Sequence, residues 1–355
     1  MHINPCLFIL ARPPHQIVWN YEQHTQFELD VYYTTRLAQL INDPSRFDRS
    51  NPIDMELADK EILIDGPEKH IDWKWDELSK IFHFGTKNIP CENVPRNVNE
   101  WAALYLHHCA EVLSSPPPPA RTKQYPVERI ALERPSWGKL EEASLVRTLL
   151  NRSTSRSFDN RPISIDQVST LLYLTLGYLN ERSCPDDGSD ARRSSPSGGG
   201  LNACEGYLYV RNVRGLDTGI YAYHPDEHAV SLVRMLPDEP LGQLLCGQHF
   251  INPLPFGLFI TSRFDKLWWK YGHSRAYRMA FVEAGHVSQS FLMVATALGL
   301  DTWLTGALAD HQVERLLDLE GAPEQPLFFV GCGHGDSQVH CPELMALLDE
   351  QDVMP

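Results

Sequence analysis

Residues 274–300 read SRAYRMAFVEAGHVSQSFLMVATALGL. The stretch contains no proline, and its apolar side chains occur on nearly every face of a helical wheel. A helix that is apolar nearly all round must be covered by protein on several sides. The sequence therefore predicts one long helix over Ser274–Leu300, buried at the centre of the fold.

Strands and helices are interleaved around this helix without strict alternation. Strands are predicted at Tyr207–Val210, Phe256–Thr261 and Leu327–Val330, and a hairpin is predicted at Gly219–Tyr223 and Ala229–Val233. Doubly wound nucleotide folds alternate strand and helix regularly. We therefore expect an α+β fold in which a mixed sheet is wrapped by helices.

Two helices are predicted ahead of these strands. Ser164 followed by Gln167 is the signature of a capping box, which opens a helix. Upstream, apolar residues recur at helical spacing over Lys139–Leu150. Their common face contains Leu140, Ala143, Val146 and Leu150. The spacing predicts a single helix over this stretch.

The composition is typical of a soluble protein with two domains. The chain has 355 residues, 43% of them hydrophobic, and a formal net charge of −15. Nucleic acids and anionic membranes attract basic surfaces, so this charge argues against both as partners. The apolar run at 291–300 is too short to cross a bilayer.

The cysteines indicate a reducing compartment. All eight lie between Cys6 and Cys341, and none forms a Cys-x-x-Cys pair. The apolar run Cys6–Ala11 is too short for a signal-peptide core, so a cytoplasmic protein is expected. Near the C-terminus, two cysteines and two histidines are spaced unlike the ligands of a familiar zinc site, and no metal is expected.

Four consecutive prolines, Pro116–Pro119, form the clearest seam in the sequence. A proline run cannot continue a helix or join a central strand, and it acts as an extended spacer. We place a domain boundary within 114–137, between an N-terminal α/β domain at 1–135 and a second domain at 136–355. Helices are predicted in the first domain at Asp76–Phe84 and Val98–Leu113.

Residues 151–159, NRSTSRSFD, contain two arginines that flank hydroxyl side chains. Arginine forks onto oxyanions, and hydroxyls fill the remaining acceptor sites of a phosphate. Arg152, Ser153, Thr154 and Arg156 are therefore candidate phosphate-binding residues. The alternative is a solvated helix end, which is the commoner role of such arginines.

Residues 193–202, RSSPSGGGLN, form a glycine-rich loop. The backbone of such a loop can approach a flat ligand closely, because glycine carries no side chain. Pro196, Ser197, Gly198 and Gly199 are therefore candidate ligand-binding residues. A flexible loop without a ligand is the alternative.

Lys270, Tyr271 and Gly272 precede the long helix. An adjacent lysine and tyrosine supply a base and an acid if the site lowers the lysine pKa, for which Arg275 and Arg278 are candidate neighbouring cations. The alternative is a surface lysine beside a packing tyrosine. Glu283 and His286 are interpreted as a hydrogen-bonded core pair rather than as ligands.

Taken together, these motifs resemble the nitroreductase superfamily from Leu140 to about Gly335. Within it the chain is similar to the SagB-type dehydrogenases, which include thiazole- and oxazole-forming oxidases. Leu304, Thr305 and Gly306 resemble the turn that lies over the flavin in that family. The resemblance implies an FMN cofactor bound by these three residues, the 152–156 motif and the 196–199 loop. It also implies a homodimer built on the long helix.

The resemblance implies that the chain oxidises an azoline, in a peptide or a small molecule, to an azole. Lys270 and Tyr271 would be the catalytic residues, and a cyclodehydratase or carrier protein is a candidate partner. Many nitroreductases bind the FMN phosphate with a basic residue beyond the last strand, but no lysine or arginine follows Arg315 here. The alternatives are an NAD(P)H-dependent nitro- or quinone reductase and a non-catalytic scaffold in a biosynthetic complex.

Overall fold

The structure, a computed structural model, describes residues 1–66, 72–87, 94–135, 137–179, 192–319 and 321–351. The chain divides into two compact units, Met1–Trp101 and Ala102–Pro355. Ser136, at which the predicted second domain begins, and Pro355, at which it ends, lie outside the described residues.

The first unit combines a small antiparallel sheet with helices. Its elements are β1 (His2–Ile3), β2 (Leu7–Arg12), β3 (His15–Asn20), β4 (Thr25–Leu29), α1 (Val31–Asn42), α2 (Pro52–Asp59), β5 (Leu63–Ile64) and α3 (Glu77–Gly85), and α4 (Val98–Ser114) continues into the second unit. Strands β2, β3 and β4 form one sheet in that order, and β1 pairs with β5. The helices predicted at Asp76–Phe84 and Val98–Leu113 are confirmed to within one residue at each end.

Burial of one face of the β2–β3–β4 sheet under α1 and α2 holds the first unit together. Val18 and Leu29 from the sheet pack with Leu37 and Leu40 of α1 and Leu57 of α2, and all five are buried. The Asp30 carboxylate accepts hydrogen bonds from two backbone N–H groups at the start of α1. The chain therefore turns directly from β4 into α1.

The second unit contains the remaining elements. Its strands are β6 (Arg129–Ala131), β7 (Ile163–Ser164), β8 (Cys204–Val210), β9 (Val213–Arg214), β10 (Gly219–His224), β11 (Ala229–Arg234), β12 (Phe256–Arg263), β13 (Asp301–Thr305) and β14 (Glu324–Gly333). Its helices are α5 (Gly138–Glu141), α6 (Leu145–Asn151), α7 (Ile165–Leu176), α8 (Leu241–Leu244), α9 (Phe264–Lys270), α10 (Ala276–Ala297), α11 (Asp310–Leu316) and α12 (Pro342–Gln351).

A seven-stranded sheet in the order β13-β14-β12-β8-β10-β11-β6 forms the centre of the second unit. The α+β class, the predicted strands and the hairpin are confirmed. All pairs within this sheet are antiparallel, where a mixed sheet was expected. Strand direction depends on which strands become neighbours, and apolar runs in the sequence do not determine that.

Helix α10 packs one face on the sheet, beside α7. Its buried side chains include Ala284, Val287 and Phe291, whereas Phe281 and Val282 on the other side are 46% and 45% exposed. The long helix is therefore confirmed. In a single chain, however, it is buried on one face rather than all round.

The predicted helix over Lys139–Leu150 is wrong in two respects. The structure has two short helices there, because the Ser144 hydroxyl accepts a hydrogen bond from the Arg147 N–H and starts α6 as a new helix. Val146 and Leu150, predicted on its apolar face, are 64% and 79% exposed. The capping box of Ser164 and Gln167 is confirmed at the start of α7.

The compact units do not divide at the proline seam. Strand β6 lies within the predicted first domain, but it pairs with β11 in the seven-stranded sheet. The division falls at Trp101 and Ala102, ahead of the 114–137 region. Independent folding of 1–135 and 136–355 stays a prediction, which truncation tests.

His228 is buried in the second unit, and both ring nitrogens have partners. The Tyr223 hydroxyl lies 2.8 Å from Nδ1, and the Ser169 hydroxyl lies 2.8 Å from Nε2. Burial lowers the pKa of His228 to about 4, so the native ring is neutral at neutral pH. The unfolded value is about 6.5. The unfolded chain therefore binds more protons between these two values, and stability falls as the pH is lowered through this window.

Replacing His228 should flatten this part of the pH profile. His228→Asn suits the left-handed backbone at this position (φ 49), which asparagine tolerates. Between pH about 6.5 and about 4, the wild type should lose about 1–2 kcal/mol more of its free energy of unfolding than the variant does. Urea titrations at several pH values measure this difference. Parallel profiles would contradict a neutral buried ring.

Candidate functional site

The glycine-rich loop and the lysine–tyrosine pair are in direct contact. Gly198–Gly200 form one 3-10 turn, and Gly199 has a left-handed backbone, with φ at 63°. A Cβ atom on Gly199 would lie 2.4 Å from the Tyr271 hydroxyl and 3.0 Å from Lys270 Nζ. Lys270 Nζ donates a hydrogen bond to the Gly199 carbonyl at 3.1 Å. The left-handed backbone favours glycine at position 199, and two of the predicted motifs meet there.

A buried ion pair fixes α9, which carries Lys270 at its end. Lys266 Nζ lies 2.9 Å from the Glu205 carboxylate and donates to the Asn202 carbonyl at 3.2 Å. Both charged side chains are less than 10% exposed. Lys270 is four residues further along the helix, on the same side as Lys266. The ion pair thereby holds Lys270 against the glycine loop. No sequence motif indicated this ion pair.

The lysine–tyrosine pair lies at the end of a helix. Tyr271 is the C-terminal cap of α9 and has extended backbone angles (φ −124, ψ 101). Neighbouring residues inside a regular helix point about 100° apart. The change of conformation at Tyr271 brings its hydroxyl to the same glycine that Lys270 contacts.

The Tyr271 hydroxyl is kept protonated at neutral pH. Burial raises the pKa of Tyr271, and the neighbouring Tyr105 and Cys109 of α4 raise it further. A protonated phenol is suited to donate a hydrogen bond. Tyr105 and Cys109 precede the proline seam, and no sequence pattern indicated that they lie beside Tyr271.

Glu283 anchors the glycine loop. Its buried carboxylate accepts a hydrogen bond from the Ser197 hydroxyl at 2.6 Å and one from the Cys204 N–H at 3.0 Å. The expected hydrogen bond between Glu283 and His286 is not present, so that prediction is wrong. The His286 ring faces the Pro196 carbonyl, 3.4 Å from Nδ1. The correction has a geometric reason, since Glu283 points into the sheet whereas His286 lies on the exposed side of α10.

The predicted phosphate motif contacts other elements. The Ser153 carbonyl accepts a hydrogen bond from the Thr302 hydroxyl at 3.0 Å, and Thr154 bridges to Thr302 of β13. Arg156 donates from Nη1 to the Val339 carbonyl at 2.7 Å. Within the described ranges, the Arg152 guanidinium and the hydroxyls of Ser153 and Thr154 have no protein hydrogen-bond partner. They are therefore free to bind an anion.

The phosphate motif and the glycine loop lie at opposite ends of the sheet. Strand pairing places Thr302 in one row with Cys332, Phe256 and Val210. Cys204, which Glu283 contacts, is at the other end of β8, roughly 20 Å away at about 3.3 Å per residue. A single chain thus brings Lys270, Tyr271 and the 196–199 loop together, but it does not bring Arg152 to them.

Leu304 and Thr305 lie in register with β8 residues between Val210 and Cys204, and Gly306 follows them. Leu304 and Thr305 complete β13, and the Thr305 hydroxyl accepts hydrogen bonds from Ala307 N–H and from Gln248. Gly306 begins the following turn beside Phe328, where a Cβ atom would approach the ring to 3.2 Å. These contacts fix the backbone of the turn.

An apolar cavity of about 360 Å³ opens beside Tyr271. Aromatic and aliphatic side chains line most of it, among them Phe264, Leu267, Trp268 and Tyr277. Apolar walls with a few polar groups are typical of sites for small flat molecules. The cavity therefore has the character of a binding site for a planar group, with Tyr271 in its wall.

The described ranges contain neither a membrane-spanning helix nor a cluster of metal-ligating side chains. None of the helices in them has the length and apolar character needed to cross a membrane. In the same part of the chain, no three His, Cys, Asp or Glu side chains are grouped so that they could hold a metal ion.

Comparison with known proteins assigns the chain to a family. Residues 149–334 match the Nitroreductase family. The nitroreductase-like protein MJ1384 of Methanocaldococcus jannaschii is 32% identical over 198 residues, which cover 55% of this chain and 92% of that protein. The trifolitoxin operon protein TfxC of Rhizobium leguminosarum is 24% identical over 276 residues, 76% of this chain and 74% of that one.

Two further similarities agree with this family. The microcin B17-processing protein McbC of Escherichia coli is 30% identical over 175 residues, 48% of this chain and 61% of that one. The crystal structure of a nitroreductase homologue from Anabaena variabilis has the same fold, with a TM-score of 0.55 and 22% identity over 79% of this chain; the chain spans 53% of that protein. With its family match, its MJ1384 relative and this fold, the chain belongs to the nitroreductase family.

Proposed function

We propose that the chain is an FMN-dependent dehydrogenase of the SagB type, which oxidises a thiazoline or oxazoline to the azole in a peptide or amino-acid-derived product. The contact of Lys270 and Tyr271 with Gly199 supports this proposal, because the proposed base and the proposed acid meet at one point of the predicted ligand-binding loop. Relatives named for microcin B17 processing and for a trifolitoxin operon support the substrate class.

The described residues fit FMN. Nitroreductase-family proteins typically bind flavin, and two parts of the chain suit its two ends. Tyr271, which meets the glycine loop at Gly199, lines an apolar cavity suited to a planar ring. Arg152, Ser153 and Thr154 offer a cation and hydroxyls with no protein partner in the described ranges, which suits a phosphate. Arg156 retains donors beyond the one that Val339 uses.

We further propose that two copies of the chain complete each site. The Arg152 motif and the Gly199 loop lie toward opposite ends of the sheet in one copy, and β8 spans roughly 20 Å between those ends. The exposed side of α10, with Phe281 and Val282, is an apolar surface that a second copy would cover. Because α10 contacts the glycine loop through Glu283, a dimer built on this helix brings the partner's surface to the loop.

The chemistry assigns one task to each residue. Oxidation of an azoline removes a proton and a hydride from adjacent ring atoms, and bound FMN supplies the hydride acceptor. Lys270 takes the proton, and Tyr271 donates a hydrogen bond to the ring heteroatom. Glu283 and the Lys266–Glu205 pair hold the loop and α9 in place. The first unit would bind the peptide or a partner such as a cyclodehydratase or a carrier protein.

An NAD(P)H-dependent reductase is the second candidate function, and the similarity to nitroreductase-like MJ1384 favours it. NAD(P)H would then reduce the flavin, and the flavin would reduce the substrate instead of oxidising it. The two candidates differ in what reduces the flavin, so rapid mixing with NADPH and with an azoline peptide distinguishes them.

Cofactor release tests the phosphate motif. The purified protein should be yellow and should release FMN rather than FAD on denaturation. Arg152→Ala should weaken FMN binding by about tenfold to a hundredfold, because a charge-assisted contact contributes on the order of 1.5–3 kcal/mol. Fluorescence titration with FMN measures the change. Arg147→Ala, which removes an exposed arginine of α6, the helix that Arg152 caps, is the control and should bind FMN as the wild type does.

Two results of these cofactor measurements would contradict the proposal. Release of FAD, or of no flavin, would contradict the assigned cofactor. Equal FMN affinity in the Arg152 and Arg147 variants would place the phosphate elsewhere.

Substitutions of the lysine–tyrosine pair test the chemistry. Lys270→Ala and Tyr271→Phe should keep the yellow colour and slow the oxidation of an azoline peptide by about 10²–10⁴-fold, the usual scale for an acid–base group. Lys270→Arg should not restore activity, because arginine stays protonated. Mass spectrometry follows the loss of two hydrogens from the peptide. Lys123→Ala, which removes a lysine facing Glu324, should leave the rate unchanged.

Wild-type rates in both variants, with FMN retained, would show that the chemistry lies elsewhere. Glu283, His286 and Tyr277 would then be the next residues to replace. Fast reduction by NADPH, together with no oxidation of azoline peptides by the wild type, would favour the reductase.

A further inference from the structure

A second cavity lies in the second unit, with a volume of about 560 Å³. It shares no lining residue with the apolar cavity beside Tyr271. Its walls come from the segment after the proline run, the junction of β12 with α9, and the connection between α11 and β14. A cavity of this size is ordinary for a small-molecule site. Its polar lining includes Thr122, Lys123, Arg263, Asp318 and Glu324.

The carboxylate of Glu324 is buried in this wall and is only 6% exposed. Its Oε1 atom accepts hydrogen bonds from the Tyr207 hydroxyl at 3.0 Å and from the Thr261 hydroxyl at 2.6 Å. The Tyr125 hydroxyl lies 2.8 Å from that of Tyr207, and it is the donor of this pair because the Tyr207 proton is already directed to Glu324. This chain of hydroxyls fixes the carboxylate and occupies one of its two oxygens.

The second oxygen of Glu324, Oε2, accepts no hydrogen bond from the residues that the structure describes. Lys123 Nζ lies 3.8 Å from it, which is beyond hydrogen-bonding distance. The Arg263 guanidinium is directed elsewhere, since Nε and Nη2 fork onto Asp265 at 2.8 and 2.6 Å. A buried carboxylate oxygen without a donor is unfavourable, so a ligand that donates to it gains free energy there.

The charges around the cavity favour a cation as that ligand. Burial and the neighbouring Glu205 carboxylate raise the pKa of Glu324, so the positive charge near it does not compensate for its lost water. The net charge of −15 also attracts cations to the chain and repels anions. Carboxylates outnumber cations among the described lining residues, which include Asp265, Asp318 and Glu324 against Lys123 and Arg263.

The cavity suits an organic cation better than a metal ion. No three metal-ligating side chains of the described ranges are grouped here, and the volume far exceeds that of a bare ion. Ala120, Leu319 and Pro323 add apolar wall. We propose that the cavity binds a small organic cation, whose primary ammonium group donates to Glu324 Oε2 while its hydrocarbon part contacts these apolar residues. This binding requires neither flavin nor azoline oxidation.

A matched pair of fluorinated probes tests the ammonium group. 4-Fluorobenzylamine is protonated at neutral pH, and 4-fluorobenzyl alcohol is its neutral counterpart. Fluorine NMR line widths, recorded while each probe is titrated with the full-length protein, give the two dissociation constants. The amine should bind at least about tenfold more tightly than the alcohol, because its hydrogen bond to the carboxylate is charge-assisted. Equal affinities, or no saturable binding of the amine, would overturn the proposal.

Replacement of the carboxylate locates the site. Glu324→Gln keeps an acceptor for Tyr207 and Thr261 but puts an uncharged amide where Oε2 was. It should weaken binding of the amine by at least about tenfold and leave binding of the alcohol close to unchanged. Glu343→Gln, which changes an exposed glutamate of α12 outside the cavity, is the matched control and should bind the amine as the wild type does. An equal loss in both variants would refute this location.

Removal of the neighbouring lysine separates a cation site from an anion site. Lys123 faces the same oxygen and repels a second positive charge, so Lys123→Ala should strengthen binding of the amine by about threefold to tenfold. Its side chain is 37% exposed, and this variant therefore keeps the test valid if Glu324→Gln does not fold. Weaker amine binding in Lys123→Ala would show that the cavity does not take a cation.

The pH dependence of binding provides an independent check. The ammonium group binds the ionised carboxylate, so amine affinity should fall as the pH is lowered through the raised pKa of Glu324, which lies above its ordinary value of 4.5. Burial raises the pKa of Tyr125 and of Tyr207, and both stay protonated in this range. Glu324→Gln should remove this fall. The other charged groups around Glu324 are the same in both proteins, namely Lys123, Glu205, Arg263, Asp265 and Asp318.

An equally steep fall in amine affinity in the Glu324→Gln variant would assign the titration to one of those groups and contradict the proposal. Binding is measured without turnover, so a failure of azoline oxidation leaves the test unaffected.

Discussion

The buried carboxylate of Glu283 is the constraint on which the site depends. A buried carboxylate is strongly unfavourable unless hydrogen bonds compensate for its lost water. Ser197 and the Cys204 backbone supply those bonds, so the glycine loop is tied at one end to α10 and at the other to β8. A different loop conformation would leave this charge without partners. The loop therefore has one favoured conformation, in which Gly199 faces α9.

The position of Lys270 and Tyr271 follows from this anchor and from a second buried charge pair. Lys266 and Glu205 hold α9 against β8, and the helix ends where Lys270 and Tyr271 reach Gly199. The polar groups around this contact are held by hydrogen bonds that begin in the core. Such support keeps a site in a fixed geometry before any ligand binds. Among the residues that the structure describes, the predicted phosphate motif at the other end of the sheet has no comparable connection to this contact.

Local sequence patterns predicted the secondary-structure elements, but they did not predict contacts between residues far apart in the sequence. Apolar runs predicted β8, β12 and the helix α10, and the Ser164–Gln167 spacing predicted the start of α7. The helix predicted over 139–150 failed because Ser144 can cap a new helix as readily as it can continue an old one. The sequence indicated each motif separately but not the contacts between the motifs. Their assembly depends on pairs such as Lys266 and Glu205, 61 residues apart, for which periodicity carries no signal.

In the proposed dimer, one copy supplies the predicted phosphate motif and the other supplies the lysine–tyrosine pair. Co-expression of Arg152→Ala and Lys270→Ala chains with different affinity tags, followed by purification of the mixed dimer, tests it directly. The mixed dimer contains one site with both substitutions and one with neither. At an FMN concentration that saturates the wild type but lies well below the dissociation constant of the Arg152→Ala variant, it should oxidise an azoline peptide at about half the wild-type rate, although each parent dimer is nearly inactive. A mixed dimer no more active than its parents would place both halves of the site in one copy and contradict the account.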